Sequence, residues 1–201
     1  MTNNSTHAST TLTVLDPESI PVPSQILVLF GSPAKIHALV LESLCLRAQR
    51  GERTGLILGD NLLQEYTLAR LMRGYGYDPA ILLAQIEYSR AFTCVQLLHS
   101  LRELTSVRAR QWSGLYVLGL LETFYDEDLP DPLVSQVLDQ VLTQLRQLAN
   151  QGLSILVTLG FPPAKSSRGN LVERVQRAAD QTWEPMTEPA EFLEAIQEEL
   201  W

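Results

Sequence analysis

The chain has 201 residues, 45% of them hydrophobic, with 15 basic against 23 acidic side chains and a net charge of −8. That length suits one domain with a sizeable core and is short for two. The acidic balance opposes broad attraction to the phosphate backbone of nucleic acid, and no uncharged apolar run approaches the roughly 18 residues of a membrane span, so a soluble, cytoplasmic protein without membrane contact is expected.

Residues 1–23 are rich in Ser, Thr and Asn and lack the basic-then-apolar order of a signal peptide, so they read as a disordered leader. Inside it, 10–15 and 20–22 are short apolar stretches suited to docking on a neighbour. The core domain is expected over 24–186. Its first strand, 26–30, runs into the turn Gly31-Ser32-Pro33, where a phosphate-gripping loop would begin. In the pattern Gly-x4-Gly-Lys-[Ser/Thr] the second glycine lets the backbone wrap the anion, the lysine neutralises charge and the hydroxyl holds magnesium. Counted from Gly31, those slots hold Ile36, His37 and Ala38. Isoleucine resists positive φ, imidazole is only part-charged at neutral pH, and alanine has no oxygen for a metal. Lys35 lies two residues early. Gly31, Ser32, Lys35 and His37 are therefore the candidate ligand residues of a degenerate loop, in which helix-start amides would do the work of the lysine. The other reading of His37 is a side chain that merely caps or packs at the helix start, as a lone histidine commonly does.

A helix over 34–50, apolar almost all round, ends at Gly51. The second strand, 54–58, is closed by Gly59-Asp60, and a helix carrying Leu63, Tyr66, Leu68, Leu71 and Met72 leads to a turn over 74–79. A third strand is expected over 81–88, a helix over 93–104 and a fourth strand over 114–118. Asp131-Pro132 opens the strongest helical pattern, Leu133 to Leu148, which stops near 150–152. A fifth strand over 153–159 enters a loop over 160–169. Within 172–186 a helical turn and a strand near 182–184 follow, and 187–201 reads as a short acidic helix with Phe192, Leu193, Ile196 and Leu200 opposite its glutamates. Strand–helix alternation of this kind predicts an α/β fold with a mostly parallel sheet covered on both faces. Cys45 and Cys94 sit among apolar neighbours and read as buried, reduced thiols, and three scattered histidines assemble no metal site.

The order of parts over 24–185 resembles the RecA/RadA family of strand-exchange ATPases and their KaiC-like relatives. The most specific piece is Ile81 to Leu98, similar to that family's third strand ending in Arg-Ala-Phe-[Asn/Thr] before a helix with Gln and paired leucines. Gly74-Tyr-Gly-Tyr-Asp78 resembles the turn ahead of it. The resemblance implies a RecA-like three-layer α/β/α, P-loop-type domain. It also locates the family's functional positions: the lysine falls on His37, the hydroxyl on Ala38, the water-orienting glutamate on Leu62 of Asp60-Asn61-Leu62, and the metal-organising aspartate on Gly119. Phosphoryl transfer depends on such contacts, so the resemblance argues against the family's activity. It implies a pseudo-ATPase without cofactor or metal, acting as an accessory or scaffold subunit in DNA recombination or repair, with a RecA-like ATPase or a second copy as partner. A regulator that binds ATP without hydrolysing it is the alternative, with ATP disfavoured.

The family's DNA-contacting loops fall on 160–169 and just past the fourth strand. Lys165 and Arg168, with Ser166 and Ser167, are the candidate nucleic-acid contacts of the first, set against a reading as solvated connector. In the second, Asp126, Glu127, Asp128 and Asp131 would oppose a phosphate backbone. Any direct DNA contact is therefore expected to be weak and strongly salt-dependent.

Overall fold

The computed structural model describes residues 15–60, 65–74, 76–104, 111–125 and 129–184. Six strands, β1 (Ile26–Phe30), β2 (Thr54–Leu58), β3 (Ile86–Arg90), β4 (Gly114–Leu118), β5 (Ile155–Leu159) and β6 (Gln181–Trp183), form one sheet in the order β3-β2-β4-β5-β1-β6. Every neighbouring pair is parallel, so the expected mostly parallel sheet is parallel throughout these six strands. Helices α1 (Pro33–Gln49), α2 (Glu65–Gly74), α3 (Pro79–Leu83), α4 (Cys94–Glu103), α5 (Asp131–Asn150) and α6 (Asn170–Ala178) cover its two faces, giving the three-layer α/β/α, RecA-like arrangement.

Side-chain alternation sorts the strands into two cores. From β1, Ile26 and Val28 join α4, α5 and α6 on one face, while Leu27 and Leu29 join α1, α2 and Leu15 on the other. The central strands β2, β4 and β5 are buried along their whole length, which is why each reads as a continuous apolar run. The outer strands β3 and β6 carry the exposed positions. No helix among the described residues is long and apolar enough to cross a membrane. Cys45 and Cys94 are free and buried, and burial, with Glu42 behind it, pushes the Cys45 thiol up to about 11.

Two expectations need correction. The apolar run from Ile81 begins as a helix, because Pro79 suits a first helical turn and the Asp78 carboxylate accepts the Ala80 N–H at 2.9 Å. The strand then starts at Ile86, opposite Thr54. Residues 15–20, expected within the leader, are instead folded on the body, since Leu15 and Ile20 are buried and a 3₁₀ turn at Pro17–Ser19 packs on α1. Ser43 Oγ donates to the Ile20 carbonyl at 2.8 Å, and Arg47 reaches the Ile20 and Pro21 carbonyls at 3.0 and 3.3 Å. A string of polar residues read alone gives no sign of those acceptors. Residues 1–14 and the expected acidic helix over 187–201 lie outside the described residues.

Candidate functional site

β1 and β5 are neighbours, yet α1 leaves β1 on one face of the sheet and α6 leaves β5 on the other. Where connections diverge in this way, the carboxyl ends of the strands open a crevice, the usual ligand position in α/β sheets. Four strands end there in an apolar residue followed by glycine: Phe30-Gly31, Leu58-Gly59, Leu118-Gly119 and Leu159-Gly160. The crevice between them is closed.

Gly31 is buried, has φ 147°, and gives its N–H to the Leu159 carbonyl at 3.1 Å instead of presenting it to an anion. Ser32 is the N-cap of α1 but makes no side-chain capping bond; its carbonyl accepts the Ile36 N–H at 3.2 Å. Ile36, in the slot of the second glycine, is 1% exposed and belongs to the core under α1. Its burial excludes a loop that wraps an anion at this position. Lys35 lies in the first turn of α1, and its side chain is outside the described part. Of the four candidate residues, Gly31, Ser32 and His37 thus come together at the head of α1.

His37 turns toward β2, with Nε2 3.2 Å from Asp60 Oδ2, and both side chains are largely buried. Asp60 in turn lies against Gly119, which adopts the left-handed conformation at φ 62°. A Cβ at Gly119 would stand 2.6 Å from Asp60 Cβ and 2.8 Å from Asp60 Oδ2, so the position is closed to any side chain while Asp60 keeps its place. The Gly119 N–H donates to Thr158 Oγ1 at 2.8 Å, and the Gly59 N–H donates to the Leu118 carbonyl at 2.7 Å. These bonds draw the ends of β2, β4 and β5 together.

Glu122 completes the corner. A Cβ at Gly160 would meet its Oε1 at 2.9 Å, and its carboxyl is held above the ordinary carboxylate range, first by burial and then by the Asp60 charge. What remains between Ile36, His37, Asp60, Gly119, Glu122 and Thr158 is a cavity of about 20 Å³. That is room for roughly one water, against the several hundred Å³ of a typical small-ligand pocket. Electrostatically the corner opposes a polyphosphate, because two carboxylates face a single imidazole. Among the described residues no group of three or more His, Cys, Asp or Glu side chains is arranged to hold a metal ion.

Asp60, Glu122 and Thr158 are the site residues that local patterns do not single out. The one local sign is position: each charged residue falls just past the carboxyl end of a buried strand, where ordinary surface loops also begin. The loop after β5 separates its two cations. Arg168, only 7% exposed, donates from Nε to Asp131 Oδ1 at 2.8 Å, from Nη1 to the Phe124 carbonyl at 2.8 Å, and from Nη2 to the Leu129 carbonyl. It stitches this loop to the entry of α5, and its guanidinium is turned inward, away from any nucleic acid at the surface. Lys165 is exposed. Asp131 is engaged by Arg168, and Asp126, Glu127 and Asp128 lie outside the described residues. No family model matches the chain, and no curated protein matches it significantly.

Proposed function

We propose that this chain is a RecA-like pseudo-ATPase, which works as an accessory or scaffold subunit and does not turn over nucleotide. The observation that carries the reading is the closed corner. The space at the head of α1 holds about one water, is walled by Asp60 and Glu122, and is tied shut by the His37–Asp60 pair. Catalysis of phosphoryl transfer requires positioned cations around the transferred group. Here the nearest described side chain with any positive character, His37, is already engaged by a carboxylate. The same closure argues against the regulator that binds ATP without hydrolysis, since a triphosphate would have to expel Ile36 from the core or part His37 from Asp60. Assignment to recombination or repair, with a RecA-like ATPase or a second copy as partner, rests on the family resemblance alone.

Calorimetry with magnesium-ATP and a phosphate-release assay test the proposal together. The expected result is no saturable heat at millimolar nucleotide and release at the uncatalysed background. Magnesium-dependent hydrolysis that disappears on His37→Ala would refute it. Binding without hydrolysis would favour the regulator. Purification of the tagged protein from its host, with identification of what co-purifies, tests the scaffold role itself.

A further inference from the structure

β6 lies beside β1, with Trp183 opposite Leu29, so the chain beyond Glu184 leaves the body at the carboxyl edge of the sheet, level with Phe30. At that edge Phe30 and Phe161 meet edge to face, with ring centroids 5.1 Å apart and planes at 73°. Phe161 is nevertheless 59% exposed. The same loop carries the exposed Lys165, which borders a cleft of about 430 Å³ walled also by Leu129, Pro130 and Asp131, whose carboxylate is paired with Arg168. Apolar surface, a cation and a concavity therefore lie together beside the exit of the chain.

Residues 185–201 match that surface in chemistry. They contain five glutamates and no lysine or arginine, and Phe192, Leu193, Ile196 and Leu200 recur at helical spacing. We propose that this acidic C-terminal segment docks on the carboxyl edge of its own sheet, its apolar side on Phe161 and its glutamates toward Lys165.

Proximity favours this surface over the exposed Tyr88 and Phe92 at the far edge of the sheet. Residues 185–190 span at most about 20 Å when extended. From β6 to β5 is two inter-strand spacings, roughly 10 Å, whereas β3, where Tyr88 and Phe92 are exposed, is five spacings or roughly 24 Å away. The segment therefore meets its own β5 loop well before it could extend to its own β3 edge. Asp60 and Glu122 bound the surface on the β4 side and repel the glutamates, which keeps the segment on the β6 side of the corner. Docked there, it covers the carboxyl edge of the sheet, so a partner that used this edge would first have to displace it. Such docking is independent of the scaffold role, because it involves only this chain's own segment.

Hydrogen exchange on the full chain and on a chain ending at Glu184 tests it. The amides of Phe161 and of residues 164–167 are expected to exchange about tenfold more slowly in the full chain, at every protein concentration. Phe161→Ser and Lys165→Glu, made in the full chain, should each raise the exchange to the truncated level, with the amides of β1, β4 and β5 unchanged. Raised salt should speed exchange in the full chain alone. Equal rates in the full and truncated chains overturn the proposal. Protection that grows with protein concentration also overturns it, because the segment of a second copy is then the occupant.

Discussion

Replacing Gly119 with alanine probes the closure of the corner at its tightest point. The residue sits at φ 62°, where an L side chain costs about 1–2 kcal/mol. The added Cβ would also stand 2.6 Å from Asp60 Cβ, a contact that forces Asp60 off its position and loosens its 3.2 Å approach to His37. Overpacking of this kind costs about 1–3 kcal/mol. The two effects together predict a loss of about 2–5 kcal/mol, which for a chain of this size lowers Tm by roughly 5–15 °C. Urea unfolding followed by circular dichroism measures it. A double-mutant cycle with Asp60→Gly separates the two causes, because removing the Asp60 Cβ relieves the clash and leaves the backbone strain at 119 in place. The double variant should be more stable than the sum of the single losses requires, by about 1 kcal/mol or more. Strict additivity within about 0.5 kcal/mol, or a Gly119→Ala protein as stable as the parent, would refute this account of the corner. The same clash applies to any larger side chain, aspartate included, so 119 cannot carry one while Asp60 keeps its place.

Arg168→Ala removes a guanidinium bonded to two carbonyls and Asp131 in a nearly buried position, and should cost about 3 kcal/mol in urea unfolding while leaving any salt-dependent DNA retention unchanged. Thr54 Oγ1 is buried without a hydrogen-bond partner in β2, so Thr54→Val should leave stability unchanged or raise it by about 1 kcal/mol in the same assay. Glu122 is held above its ordinary value in the folded protein, so folding favours its protonated form and loses that advantage as pH rises from the ordinary carboxylate value through the raised one. Thermal melts of Glu122→Gln should therefore match the parent in acid and exceed it increasingly toward neutral pH; a gap that is constant with pH would exclude ionisation of the buried Glu122 carboxyl as its cause. Arg47→Ala removes the guanidinium bonds to the Ile20 and Pro21 carbonyls, leaving Ser43 on the first, and should expose the chain near residue 20 to limited proteolysis.

The sequence alone determined the class of fold, because burial on both faces of a parallel sheet leaves a mark on neighbouring residues. Ile26–Phe30, Thr54–Leu58 and Gly114–Leu118 are apolar runs with turn residues at their carboxyl ends, and they are strands at those bounds. The edge strand β3 was legible only in part: with its outer positions exposed it lacks that mark, and the apolar run that precedes it is a helical turn. That the loop after β1 carries Ile36, His37 and Ala38 where a phosphate-binding pattern would have glycine, lysine and a hydroxyl was likewise visible position by position.

Only the tertiary structure decided how that corner is filled. His37 meets Asp60 from 23 residues away, Asp60 occupies the space that glycine leaves at 119, and Thr158 ties β5 to the end of β4. Arg168 looked like a surface cation because its acceptors are carbonyls and a carboxylate 37 to 44 residues earlier. The physical reason is the same in each case. Periodicity records which face of an element is buried, whereas the partner of a polar group is set by how the connections stack the strand ends, and that placement leaves no trace in neighbouring residues.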